Sequence, residues 1–242
     1  MSDVTADAPT FPPLLRGEPV RRAPLPEAVA RARAGTDPGL ILHRLDAERL
    51  SAAIVLAPEE PLGSAMLAVL ALANGFADAF GALAPSEIAA QFDWPGGIRI
   101  NGGLCGTLRA AAATRDPQAE PDWLVVGLDL ALTSSRVHEP GHHPDRTSLI
   151  EEGCGDLAAT DLLSAWGRHA LYWIDMLDRG ERKRLHAMWT GRAFGLNGPV
   201  TVTLPGRQET GTFLGLDETG GMILKSDGAT RLLPLTLMLE DL

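Results

Sequence analysis

The stretch from Phe92 to Leu108 reads FDWPGGIRINGGLCGTL, and its punctuation decides how the chain is put together. Gly97–Asn101 and Leu104–Ala112 are strand candidates separated by glycine turns, as in a β-meander. Pro95 fixes the chain, while Gly96 and Gly97 permit close approach by a neighbouring backbone or by a ligand. A tight hairpin turn would account for the same residues, and Gly102, Gly103 and Gly106 carry the same two readings. The order Gly102-Gly103-Leu104-Cys105-Gly106 is not the G-x-G-x-x-G that a dinucleotide crevice needs between strand and helix. Neither a Walker loop nor G-x-S-x-G occurs.

Working outward, strand candidates lie at Glu87–Phe92 on one side and Trp123–Leu132 on the other, with Leu40–His43 and Ala52–Leu56 further back. One antiparallel sheet is the economical arrangement. Met66, Val69, Leu70, Ala73, Phe76, Ala77 and Phe80 recur at helical spacing, which predicts a helix over Pro61–Phe80 ended by Gly81. A second stripe, Leu163, Trp166, Ala170, Trp173, Ile174 and Leu177, predicts a helix over Thr160–Leu177 broken at Gly180. Shorter helices are expected at Glu27–Ala34 and Glu181–Trp189. Before Pro26 the chain is proline-rich and reads as an extended arm, with Phe11, Leu14 and Leu15 laid on the body. After Gly195–Gly198, β-branched Val200–Leu204 and turns at Pro205-Gly206, Asp217–Gly221 and Ser226–Gly228 predict a small β-barrel.

The 242 residues suffice for one large domain, or a medium domain beside a small one, with a core that needs no staples. At 45% hydrophobic and 21% charged residues, wholesale disorder is excluded. A formal charge of -10 gives no long-range attraction to phosphate backbones or anionic lipid, so neither nucleic acid nor a membrane is expected as partner. Leu62–Ala73 is followed by Asn74 and Asp78 and falls short of the roughly 20 apolar residues of a membrane span, so it reads as a buried helix. Cys105 and Cys154, with no C-x-x-C, predict reduced thiols in a cytoplasmic protein. Met1–Thr10 is polar and acidic, unlike a signal peptide. His138, Glu139, His142, His143 and Asp145 crowd one stretch, but Pro140, Gly141 and Pro144 make it a loop. Loop ligands must be ordered at an entropic cost, so no metal is expected there.

In order and register, these elements resemble the biotin/lipoate–protein ligase family. Its members carry K-W-P-N-D and, after a strand and turn, K-[LI]-x-G. Trp94-Pro95 match the first motif and Leu104-Cys105-Gly106 the second. Trp123–Gly127 is similar to the strand that follows in the family, V-x-G-x-G-x-N. Gly211–Gly220, GTFLGLDETG, resembles the G-x-x-x-G-I-D-x-x-G of the family's C-terminal barrel. The resemblance spans residues 27–242. More narrowly, the chain looks like a divergent bacterial branch with a W-x-G-G-I-R-x-N-G signature.

The resemblance implies an α+β fold of the class II aminoacyl-tRNA synthetase/biotin synthetase type. It would have a mixed, mainly antiparallel sheet flanked by helices, plus a small C-terminal Src-homology-3-type β-barrel. The expected division is an arm at 1–26, a ligase-like domain at 27–195 and the barrel at 196–242. Active members use ATP and Mg²⁺ to activate the carboxylate of biotin or lipoate, then modify a lysine of a carrier domain. By resemblance those are the cofactors and the partner. The implied ligand pocket comprises Trp94, Gly96, Gly97, Gly103, Gly106, Arg109, Gly127 and Asp129.

The chemistry is where the chain departs from the family. Asp93 stands where the family has its essential lysine, and Gly103 stands at the second lysine. Gly96-Gly97 replace Asn-Asp, and Asp129 and Ala131 replace the second Gly and the Asn of the later strand. Between His43 and Ala52 there is no Gly/Arg-rich loop. The only lysines, Lys183 and Lys225, lie outside the sheet region, which leaves Arg44, Arg49, Arg99 and Arg109 as nearby cations. A carboxylate at position 93 would repel a substrate carboxylate or be forced to protonate. Arg109 is expected either to face the pocket or to pair with Asp93 or Asp129. Three readings follow. The first is an enzyme of the ligase family with rearranged cations, transferring biotin, lipoate or octanoate to a carrier lysine, with Cys105 as a conceivable nucleophile for octanoyl transfer without ATP. The second is a binding module that keeps the acyl pocket or the carrier-docking face. The third is a regulatory partner whose pocket is plugged by Trp94 or Arg109.

Overall fold

The computed structural model describes residues 8–133, 145–204 and 206–242. Its main sheet has seven strands, β1 (Arg16–Pro19), β2 (Leu40–Leu45), β3 (Arg49–Leu56), β4 (Ala90–Asp93), β5 (Gly97–Ile100), β6 (Gly103–Ala112) and β7 (Leu124–Ala131). They lie in the order β1-β2-β3-β7-β6-β5-β4. Every neighbouring pair is antiparallel except β1 with β2. The mixed, mainly antiparallel sheet expected from the sequence is therefore present, and β4, β5 and β6 form the meander read from Phe92–Leu108.

Side chains alternate across a strand, so this sheet has two different faces. Five helices accompany it: α1 (Pro24–Arg33), α2 (Leu62–Ala65), α3 (Leu67–Leu83), α4 (Ala159–Asp178) and α5 (Arg182–Thr190). One sheet face, with Leu50, Ile54, Leu108, Ala110, Val126 and Leu128, shares the main core with α3 and α4. The opposite face, with Ala53, Val55, Ala111 and Val125, packs against Leu25, Ala28 and Val29 of α1. Because α1 is short, it covers only part of that face.

Leu62–Leu83 is long and apolar enough to cross a membrane, yet it is buried in the core. A helix that is apolar all round needs this kind of burial. Of its polar residues, Asn74 donates from Nδ2 to the Leu185 carbonyl at 3.0 Å, while its Oδ1 is buried without a hydrogen-bond partner. Asp78 accepts from Trp173 Nε1 at 2.7 Å and from Arg192 at 3.0 Å.

Element ends differ from the sequence expectation for local reasons. The first helix begins at Pro24 rather than Glu27, because proline's missing N–H has no partner in a first helical turn anyway. Gly81 does not stop α3, which runs on to Leu83. Ala84 is extended, at ψ 158°, because it precedes Pro85, whose ring disfavours helix at the residue before it. The arm is extended as expected, and Arg16–Pro19 joins the sheet edge as β1. Leu15 is buried, while Leu14 is 75% exposed and points away. His43, buried on β2 beside the Phe11 ring, has its pKa pushed down by loss of solvent, which favours the neutral imidazole.

The expected small antiparallel unit is a four-stranded sheet of β8 (Pro199–Leu204), β9 (Arg207–Leu216), β10 (Met222–Ser226) and β11 (Ala229–Leu233), ordered β11-β10-β9-β8. Buried Leu204, Phe213 and Leu224 join its inner side to the main core. Beyond it, Leu239 forms an isolated bridge with Ala110, and the Glu240 N–H donates to the Ala110 carbonyl at 2.9 Å. This segment lies along the part of β6 that extends past the short strand β5.

Candidate functional site

On the face that α1 leaves bare, directly paired positions form one row across the strands. Ser51 on β3 opposes Asp129 on β7, Asp129 opposes Thr107 on β6, Thr107 opposes Gly97 on β5, and Gly97 opposes Asp93 on β4. Cross-strand partners share a face, so these groups open on the same side. One step along, Arg109 opposes Gly127. The register thus gathers Gly97, Arg109 and Asp129 of the expected pocket, together with Asp93, into one polar strip.

Charge pairing governs this strip. Arg109 donates from Nε and Nη2 to the two carboxylate oxygens of Glu240, both at 2.5 Å, and its Nη1 lies 3.7 Å from Asp129. The hydrogen bonds to Glu240 raise the guanidinium's pKa above its usual value, with Asp129 adding to the effect. Ser51 Oγ donates to the other oxygen of Asp129 at 2.6 Å. Asp93 accepts from Arg99 Nε at 2.7 Å. Arg99 also donates to the Gly102 carbonyl at 2.6 Å and stacks over the Phe194 ring at 4.3 Å. Burial nevertheless pushes the Asp93 carboxyl up, against the pull of Arg99. Asp93 is thus a paired carboxylate, and the partners of Arg109 are Asp129 and Glu240.

The remaining predicted residues serve other surroundings. Trp94 is 4% exposed within the core, and its Nε1 donates to the Gly220 carbonyl at 2.8 Å, tying the small sheet to the large one. At Gly96 a Cβ would lie 2.3 Å from the Leu108 carbonyl oxygen, and at Gly106 one would lie 2.5 Å from that of Asp129. Both glycines admit the protein's own backbone. Gly103 abuts Thr147, and Gly127 abuts Leu25 of α1.

The surroundings of Cys105 disfavour the thiolate that a nucleophile needs. The residue is buried, its Sγ faces the Ala131 carbonyl, and burial assisted by Glu152 pushes its pKa up to about 12. His138, Glu139, His142 and His143 lie outside the described residues, whereas the Asp145 carbonyl accepts from the Leu104 N–H at 2.7 Å. Among the described residues no His, Cys, Asp and Glu gather in the number a metal ion needs.

Beside the strip is a cavity of about 360 Å³ whose walls include Arg33, Ala111, Trp123, Leu239, Glu240 and Leu242. It falls at the small end of the roughly 300–1,000 Å³ range of ligand pockets. Glu240 both lines this cavity and holds Arg109, so it stands between the two. Sequence reasoning missed Ser51, Thr107 and Glu240. The first two become visible only through strand register, and Glu240 lies 131 positions from its partner.

Comparison with known proteins agrees with this fold. The model of the biotin/lipoate A/B protein ligase family matches residues 11–191, and that of a domain of unknown function matches residues 204–241. A biotin–[acetyl-CoA-carboxylase] ligase of Paracoccus denitrificans is 23% identical over 192 residues, covering 78% of this chain and 79% of that protein. A biotin protein ligase-like protein of unknown function from Silicibacter sp. tm1040, known from its crystal structure, is 47% identical. It superposes with a TM-score of 0.90, covering 97% of this chain and 100% of its own. The biotin protein ligase of Aquifex aeolicus, solved as a mutant with biotin, shares the fold at a TM-score of 0.71 and 16% identity, covering 91% of this chain and 96% of its own.

Proposed function

We propose that this chain, which belongs to the biotin/lipoate A/B protein ligase family, binds the carboxylate of an acyl cofactor of the biotin, lipoate or octanoate class without adenylating it. The observation that carries the reading is the Arg109 fork, which holds a carboxylate through two parallel hydrogen bonds on the open sheet face. A planar guanidinium in this geometry is a carboxylate receptor. The adjoining cavity, lined by Arg33, Arg115, Glu240 and Asp241 as well as Ala111, Trp123 and Leu239, offers the Trp123 ring to an acyl chain within a mainly polar wall.

Adenylation brings a carboxylate against a triphosphate and needs a concentration of uncommitted positive charge. The strip does not fit that task. Asp93 occupies the family's lysine position and engages Arg99, while Arg109 is held by Glu240 and Asp129. Lys183 is on α5 and Lys225 on β10. Arg44 pairs with Asp46. Arg49, at the exposed start of β3, makes no ion pair among the described residues, and a single solvated guanidinium cannot neutralise both anions. The residues of the strip therefore do not suit ATP with Mg²⁺, and acyl-ligand binding requires neither. A biotinyl or lipoyl carrier domain is the partner most consistent with the family.

Titration calorimetry of the full chain with octanoate, biotin and lipoate tests the reading. Binding of at least one acid, unchanged by ATP with Mg²⁺, is expected. Absence of binding by all of them would refute it and leave the fold as a regulatory or docking platform.

A further inference from the structure

We propose that the segment Glu240–Leu242 is a detachable latch, and that Glu240 is a built-in competitor for the carboxylate of the acyl ligand. This rests on the reading that Arg109 receives that carboxylate.

The latch is held mainly by polar contacts at its tip. Glu240 occupies both arms of the Arg109 fork. Asp241 pairs with Arg115, whose Nη2 also takes the Leu239 carbonyl at 3.1 Å. Arg33 donates to the Leu242 carbonyl. The Glu240–Arg109 pair is only partly buried, at 26% and 36% side-chain exposure. Partly solvated ion pairs exchange partners at little cost, because water takes over what the partner gives up. Leu239, by contrast, is buried in the main core. A swing beyond position 239 therefore leaves Leu239 in the main core and lifts only the partly buried Leu242 off the cluster beneath α1.

The geometry makes occupation exclusive. A guanidinium presents one such fork toward Glu240, so a ligand carboxylate taking the same two N–H groups must displace it. Displacement also opens the wall between Arg109 and the cavity that Glu240 lines. Ligand binding and latch release are then one event, sensed at the strand edge where the Glu240 N–H leaves the Ala110 carbonyl.

The test compares octanoate binding by the intact chain and by Glu240→Gln, which keeps the shape and removes the charge. Binding about ten-fold tighter in the variant is expected, since a neutral amide competes poorly for the fork. Glu209→Gln removes an equal charge from the small sheet and is expected to leave the affinity unchanged. As an independent readout, octanoate should speed hydrogen exchange of the Glu240 amide in the intact chain. Equal affinities in the intact chain and Glu240→Gln, with an unchanged Glu240 amide, would overturn the latch and leave the binding reading standing. Absence of binding of octanoate, biotin and lipoate alike in both proteins would overturn both.

Discussion

Replacing Arg109 with alanine is expected to weaken octanoate binding by about 100-fold or more. Two charge-assisted hydrogen bonds are removed together, each worth roughly 1.5–3 kcal/mol, and each 1.4 kcal/mol is a factor of ten. Arg109→Lys keeps the charge but not the fork, so it should recover only part of the loss. The protein should stay folded in both variants, because the Arg109 side chain is 36% exposed and supports no core residue. Calorimetry, with circular dichroism as the check on folding, measures the effect. Undiminished binding by Arg109→Ala would return Arg109 to a purely structural role beside Asp129 and Glu240.

Trp94→Ala is expected to be the most damaging substitution for stability. The indole is almost wholly buried, and removing it leaves a cavity between the two sheets costing about 3–5 kcal/mol. It also strips the Gly220 carbonyl of its donor. Trp94→Phe separates the two contributions: it keeps most of the packing and loses the hydrogen bond, for about 1–3 kcal/mol. Denaturant unfolding measures both. A cost for Trp94→Ala no larger than that of an ordinary surface change would mean that the small sheet is held by other contacts.

Trp94 shows how a motif can be legible and its use obscure. Trp94-Pro95 points to the family, and the family places the motif at its ligand pocket. In this chain the indole lies inward, where only the distant Gly220 carbonyl explains it. The helices were legible because apolar spacing is a local signal: Phe76 and Phe80, or Trp166 and Trp173, mark a buried stripe without knowledge of what covers it. Helix ends were less so, since Gly81 and Pro85 are both plausible stops and only the proline constrains the residue before it. The loss of lysine at position 93 was plain in the sequence. That Asp93 is matched by Arg99 was not, because their pairing depends on the turn between β4 and β5. Nor was the Glu240–Arg109 fork, which requires the chain to return across the sheet after a second, smaller one. In general, the charges of the site could be read from the sequence, whereas their cancellation is a tertiary property.

Because the proposed function makes that cancellation the difference between binding and adenylation, pyrophosphate release from ATP with Mg²⁺ tests it most directly. It should be measured on the intact chain and on Glu240→Gln, with and without biotin, lipoate or octanoate, so that a closed latch cannot mask activity. The same background rate is expected under every condition. Pyrophosphate release that depends on any of the acids, in either protein, would contradict the loss of adenylation chemistry.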